Sequence, residues 1–126
     1  MWKQDARRQR LRERSRVLFG GAQYRLEVGA AIADGDGIVC IKDLAEELGD
    51  PPGTGSVNAE LKVLERAGLL ARVDRERGER RVLLLRQGSG YWKFCQEARD
   101  VALGSRSGRS RRLGLDAARS RAAGGG

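Results

Sequence analysis

The sequence predicts one mainly α-helical domain that carries a small β-hairpin. Three observations predict it. Successive stretches place apolar residues three and four apart, the spacing of one buried helix face, as in Leu26–Ile32, Leu44–Leu48, Val57–Leu64 and Tyr91–Ala102. Glycine and proline clusters separate these stretches at Gly20-Gly21, at 34–37 (DGDG) and at 50–55 (DPPGTG). Between the third and fourth helical stretches, two short β-prone pieces flank the charged segment 74–79, DRERGE, where Gly78 can take a positive φ.

A chain of 126 residues is one domain with tails. It is 40% hydrophobic and 33% charged, so a modest core under a heavily charged surface is expected. No apolar run approaches the ~18–20 residues of a membrane span. The arginine-rich N-terminal stretch has no apolar segment behind it of the kind a secretion signal needs. Two cysteines far apart do not make a disulfide framework. A cytoplasmic protein without membrane contact is expected.

Histidine is absent, which removes Ser-His-Asp and Cys-His catalysis and any histidine-ligated metal. The segment 49–55, GDPPGTG, is glycine-rich but lacks the Gly-Lys-Ser/Thr ending of a phosphate-binding loop. The expectation is a protein that is not an enzyme and uses no cofactor and no metal.

The net charge of +8 is unevenly placed: residues 1–16 carry +5, residues 104–126 carry +5, and residues 17–103 carry −2. The basic ends suit polyanions, through phosphate neutralisation and counterion release, or are solvated tails. The expected organisation is therefore a basic arm or helix extension over 1–16, a folded domain over 17–103, and a disordered Arg/Gly/Ser/Ala tail over 104–126.

Within the domain the elements run in order. Residues 22–33 (AQYRLEVGAAIA) predict a helix with Leu26, Val28, Ala31 and Ile32 inward. Ile38-Val39-Cys40 is a short β-prone piece. Residues 41–48 predict a short helix with Leu44, Ala45 and Leu48 inward, Lys42, Asp43, Glu46 and Glu47 outward, and Gly49 closing it. Residues 50–55 predict a turn, because the two prolines oppose a helix. Residues 56–67 predict a second helix. Ser56 is its expected N-cap, and Gly68 stands where a left-handed C-terminal cap is needed. Residues 70–73 and 80–86 predict a two-stranded hairpin holding six arginines, Arg72, Arg75, Arg77, Arg80, Arg81 and Arg86, against three acids. Residues 91–103 predict a last helix with Tyr91, Phe94, Cys95, Ala98, Val101 and Ala102 on one stripe and Trp92 off it.

Helix, turn, helix and basic hairpin in this order predict a winged helix-turn-helix. The 56–67 helix is ~18 Å long at ~1.5 Å per residue, enough to cross a major groove about 12 Å wide. The face opposite its Val57–Leu61–Leu64 stripe holds Asn58, Ala59, Lys62 and Arg66. Asn58 suits an adenine, Lys62 and Arg66 suit phosphates or guanine, and Thr54 and Ser56 suit phosphates. Arg75, Arg77, Arg80 and Arg81 suit a phosphate backbone or a minor groove; their other reading is an exposed hairpin kept soluble by charge. Residues 34–65, by contrast, hold two lysines and eight acids. Glu60 falls beside the apolar stripe, whereas Glu65 lies nearer the polar face and opposes a nucleic-acid partner.

Residues 22–86 resemble ArsR-type bacterial transcriptional regulators, through YRLEV (24–28), CIKDLAEELG (40–49), SVNAELKVLERAGLL (56–70) and RGERRVLLL (77–85). MarR-type regulators share a looser version. The resemblance implies a DNA-binding homodimer, joined through helices near 17–33 and 91–103, reading a near-palindromic site in double-stranded DNA. Three departures stand out. The turn 50–55 is about two residues longer than the family's. Ala59 stands at a position where the family usually has a polar or basic base-contacting residue. Cys40 matches one metal-sensing thiolate position, but Lys42 occupies the second. Cys40 and Cys95 read as buried structural cysteines. The alternative function is a winged-helix protein–protein interaction module within a larger nucleic-acid-associated complex, using the acidic helix pair.

Overall fold

The computed structural model describes residues 4–74 and 81–104. The fold there is mainly helical with a small antiparallel sheet. Its elements are α1 (Ala6–Leu18), α2 (Arg25–Asp34), β1 (Ile38–Cys40), α3 (Ile41–Leu48), α4 (Gly53–Arg66), β2 (Leu70–Arg72), β3 (Leu83–Arg86) and α5 (Gly90–Ala102). Residues 75–80, with Arg75, Arg77 and Arg80, and the expected tail beyond Gly104 lie outside the described residues. No helix among the described residues is long and apolar enough to cross a membrane.

The sheet has three strands, not the expected two. β3 lies centrally in the order β1-β3-β2, with Val39 opposite Leu84 on one side and Arg72 opposite Leu84 on the other. The piece 38–40 is therefore an edge strand that covers the free side of the hairpin. Val39, Leu84 and Leu70 turn inward and are buried, while Ile38 and Leu85, paired across strands, stay exposed. This is the period-two alternation of a half-buried sheet.

Two apolar clusters hold the helices. One gathers Val28, Ala31 and Ile32 of α2, Leu44, Ala45 and Leu48 of α3, Val57, Leu61 and Leu64 of α4, with Leu70, Leu84 and Trp92. The other gathers Leu11, Leu26, Ala30, Cys95 and Ala102 where α1, α2 and α5 meet. The stripes expected on α2, α3 and α4 are the buried ones. On α5 the expectation is corrected: Trp92 is buried and donates from Nε1 to Gln87 O at 2.8 Å, whereas Phe94 stays 39% exposed. The reason is that α5 serves both clusters. Trp92 fills the first, and Cys95 and Ala102 fill the second, so its buried surface is wider than one stripe.

The expected organisation divides a basic arm or helix extension from the domain at residue 16. α1 runs through it, and Arg8, Leu11, Arg12 and Ser15 are buried at helical spacing. Asp5 starts the helix by accepting from the backbone N–H groups of Arg7 and Arg8. Ser15 links the helix onward, donating to Ala22 O at 2.6 Å and accepting from Leu26 N at 3.0 Å.

Candidate nucleic-acid interface

The interface expected from the sequence is built on α4. The helix starts at Gly53, three residues before the expected N-cap Ser56, so Thr54, Gly55 and Ser56 are helical rather than part of the turn. The physical reason is at Gly53. It takes φ +77°, which glycine adopts freely, so the chain leaves the prolines through this one residue and is helical from Thr54 on. The α3–α4 turn is thus residues 49–52, and α4 has 14 residues, about 21 Å at ~1.5 Å each. At the far end Gly68 takes φ +82°, which lets Gly68 N reach Glu65 O at 3.0 Å and Leu69 N reach Leu64 O at 2.9 Å. These two bonds close the helix as a Schellman cap and turn the chain into β2.

With Val57, Leu61 and Leu64 buried against α3, the opposite side of α4 is an exposed stripe of Gly55, Ala59, Lys62 and Arg66. Its first half is small, so a partner can approach the backbone closely; its second half is cationic. Thr54 is exposed at one side of this stripe. Ser56 and Asn58 are half-buried and stand at its margin, not at its centre as the wheel suggests for Asn58. Arg81, exposed just before β3, lines the groove that Asp36, Asp43 and Glu47 border on the other flank, and the structure does not bring it to this stripe.

The two acids of α4 are neutralised from other elements. Glu60 accepts from Arg25 Nε of α2 at 2.7 Å, with both side chains partly buried. Glu65, which the sequence marks as opposing a polyanion, accepts from Arg72 Nε of β2 at 2.8 Å. Arg25 also stacks over the Phe19 ring, its guanidinium carbon 5.6 Å from the ring centre. The sequence reading missed Arg25 altogether and counted Arg72 only as one of the hairpin's cations. The signal for Arg72 was its position in the strand that follows α4, six residues past the helix end and seven after Glu65.

The other flank of the domain is acidic. Asp36, Asp43 and Glu47 border a groove of about 520 Å³ between the α2 C-terminus, β1 and α3, whose apolar lining includes Ile32, Ile38, Leu44 and Leu83. Cys40 lines the same groove, half-buried, and Cys95 lies buried in the second cluster; both thiols are free. Burial pushes the Cys95 thiol up to about 11.

Where α1 meets α2 and the α3–α4 turn lies a second polar assembly that sequence reading did not find. Glu27 of α2 is fully buried and is gripped by two α1 arginines: Arg8 Nη2 at 2.7 Å and Arg12 Nε at 2.8 Å. Arg8 Nη2 also donates to Leu48 O at 2.8 Å, and Arg12 Nη2 to Pro51 O at 3.1 Å. Gln4 donates to both of those carbonyls and accepts from Arg12. The available signal was Glu27 itself, a carboxylate inside the apolar run Leu26–Ile32 that requires a buried cation.

Comparison with protein-family models, with curated proteins and with solved structures returns no match.

Proposed function

We propose that the protein is a DNA-binding transcriptional regulator of winged helix-turn-helix type, similar to the ArsR-type regulators, acting as a homodimer on double-stranded DNA. α4 enters the major groove and the hairpin grips the backbone. One observation carries the reading: the exposed stripe of α4 presents Lys62 and Arg66, while the two carboxylates of that helix are each held by an arginine from elsewhere. A helix of this length with small residues leading and cations trailing suits close approach to base edges followed by phosphate contact. The pairing through helices near 17–33 and 91–103 is part of the same proposal. Val17 and Leu18 at the end of α1, 79% and 44% exposed, supply apolar surface for it.

The test is binding of the purified protein to duplex DNA across a salt titration, followed by selection of a preferred site from a random duplex pool. If helix and hairpin engage about six phosphates per subunit, log K against log salt falls with a slope of about −5. Replacing Lys62 and Arg66 together with Ala abolishes preference for the selected site. Negligible binding at ~50 mM salt ends the reading.

The acidic flank favours one competing reading, a protein–protein interaction module that uses the groove beside α3. The substitutions separate the two. Lys62→Glu disables a DNA reader and spares the module, whereas Asp43→Lys with Glu47→Lys disables the module and spares the reader.

A further inference from the structure

We infer that Arg8, Arg12 and Gln4 are positioning residues that make α1 the external support of the α3–α4 turn, so that the pose of α4 on a nucleic acid is set from α1. The inference rests on the DNA-binding reading for its functional consequence, though not for its structural one.

The turn needs such support. Residues 49–52 contain Pro51 and Pro52, which have no N–H to donate, and among the described residues the turn's own backbone bond is Gly53 N to Gly49 O at 3.0 Å. Leu48 O, at the last residue of α3, is one of the carbonyls a helix end leaves without an intrahelical donor. Arg8 and Gln4 both supply it, at 2.8 and 2.9 Å. Pro51 O, two residues before α4 begins, receives Arg12 and Gln4. The carbonyl before the turn and one within it are thereby tied to α1 and to Gln4, which precedes it.

The charge arrangement explains why arginine is required. Two guanidiniums flank the one carboxylate of Glu27 in a buried setting. The carbonyl oxygens of Leu48 and Pro51, near the negative end of α3, also accept from them. Each guanidinium thus has two destinations: a carboxylate on α2 and a carbonyl at the turn. Its planar fork reaches both at once, which a lysine ammonium on its flexible stem cannot. Arg12 is further held over the Tyr24 ring, 5.2 Å from its centre. α1 is therefore locked to α2 by charge, and the turn is locked to α1 by the same side chains. Any partner that moves α1 moves the start of α4.

The test uses the full chain with Arg12→Lys, Arg8→Lys and Gln4→Ala, singly and with the two lysine changes combined. The lysines keep a cation beside Glu27 and give up the turn. Gln4→Ala leaves the Glu27 ion pairs in place and removes two carbonyl contacts and the bond from Arg12 Nη2, so it remains informative if the lysine variants fold poorly. Two readouts are taken. Hydrogen exchange of the amides at 53–57 is expected to quicken by about tenfold, with α2 and α5 amides unchanged. Preference for the selected duplex over a scrambled one is expected to fall by about tenfold, with affinity for the scrambled duplex held within about twofold. A destabilised control, Gly29→Ala in the α2–α5 contact, is expected to lose stability without losing preference. Variants that keep both the wild-type exchange pattern and the wild-type preference overturn the inference, as does a control that loses preference equally. If the wild-type protein binds no duplex, the DNA reading fails, and the exchange measurement still decides whether α1 supports the turn.

Discussion

The α2–α5 contact makes a sharp prediction at Gly29. A Cβ built there would lie 2.6 Å from Cys95 Sγ, 3.4 Å from Cys95 Cβ and 3.6 Å from Tyr91 Oη. The sulfur belongs to a fully buried side chain and would have to retreat by about 1 Å into a packed cluster, an overpacking that costs about 1–3 kcal/mol. Against this, alanine replaces a glycine inside α2 and gains about 1 kcal/mol of helix propensity. The net expectation for Gly29→Ala is a loss of up to about 2 kcal/mol. At a sensitivity of about 4–8 °C per kcal/mol in a domain of this size, a 1 kcal/mol loss lowers the melting temperature by that much. Cys95→Ala alone should cost about 1 kcal/mol, like other deletions of one buried heavy group. Together the two are expected to be non-additive, because removing Sγ removes the clash. Gly29→Ala then turns from destabilising in the wild type to neutral or stabilising in the Cys95→Ala background, a coupling of about 1–3 kcal/mol. Urea denaturation of the four proteins measures it. An equal effect of Gly29→Ala in both backgrounds would refute the packing argument.

Other predictions follow from the same physical terms. Gly55 is a helical residue of α4 with ordinary φ and open space where a Cβ would go, so Gly55→Ala should stabilise by about 0.5–1 kcal/mol in urea denaturation. The Cys95 thiol, pushed up to about 11 by burial, should resist alkylation at pH 8 in the folded protein and react once denaturant is added, while the half-buried Cys40 reacts first; peptide mapping by mass spectrometry separates them. Asp5 is held below its usual carboxylate range, first by the Arg8 backbone N–H it accepts. A depressed carboxylate contributes stability above its unfolded value of 3.8, and that contribution disappears as pH falls through its lower folded value. Acid titration by circular dichroism should therefore lose α1 helicity below pH 3.8, and Asp5→Ala should remove that part of the pH dependence.

The parts of the fold written in local periodicity were legible from sequence, and the parts written in long-range pairing were not. Val57, Leu61 and Leu64 declare their face by spacing alone, and Gly68 declares its cap because a left-handed residue is wanted after a helix. The start of α4 was misplaced because Gly-Thr-Gly reads as turn on propensity, whereas Gly53 alone takes the positive φ and Thr54 onward is helical. β1 was seen as β-prone but not as part of the sheet, since three residues carry little pattern and their partner Leu83–Leu85 lies more than forty positions away. Residues 1–16 read as a basic arm or a helix extension outside the domain because arginines at Arg8 and Arg12 are normally solvated. Their burial depends on Glu27, fifteen and nineteen residues further on, and no local rule connects the three. In the candidate interface, exposure of Lys62 and Arg66 was legible, but the neutralisation of Glu60 and Glu65 was not, because Arg25 and Arg72 arrive from other elements.

That neutralisation resolves the main physical objection to the DNA reading. Counted along the sequence, residues 34–65 are acidic, and a helix pair of that charge would repel a phosphate backbone. Counted in space, the acids divide by direction. Those of α4 are consumed by arginines within the fold. On α3, Asp43 and Glu47 turn toward β1 and the α2 C-terminus, where they border the groove, while Leu44, Ala45 and Leu48 face the core they share with α4. Asp34 pairs with Arg99, and Glu46 of α3 and Asp50 of the turn before α4 are left exposed outside that groove. The uncancelled charge is thus cationic along the outer stripe of α4 and mainly anionic along the α3–β1 flank, where Arg81 also stands, with Asp50 exposed at the turn between them. A duplex and an acidic-face partner would meet different sides of the domain. The net charge of the central residues thus says little about the partner, and the side on which each uncancelled charge emerges says most.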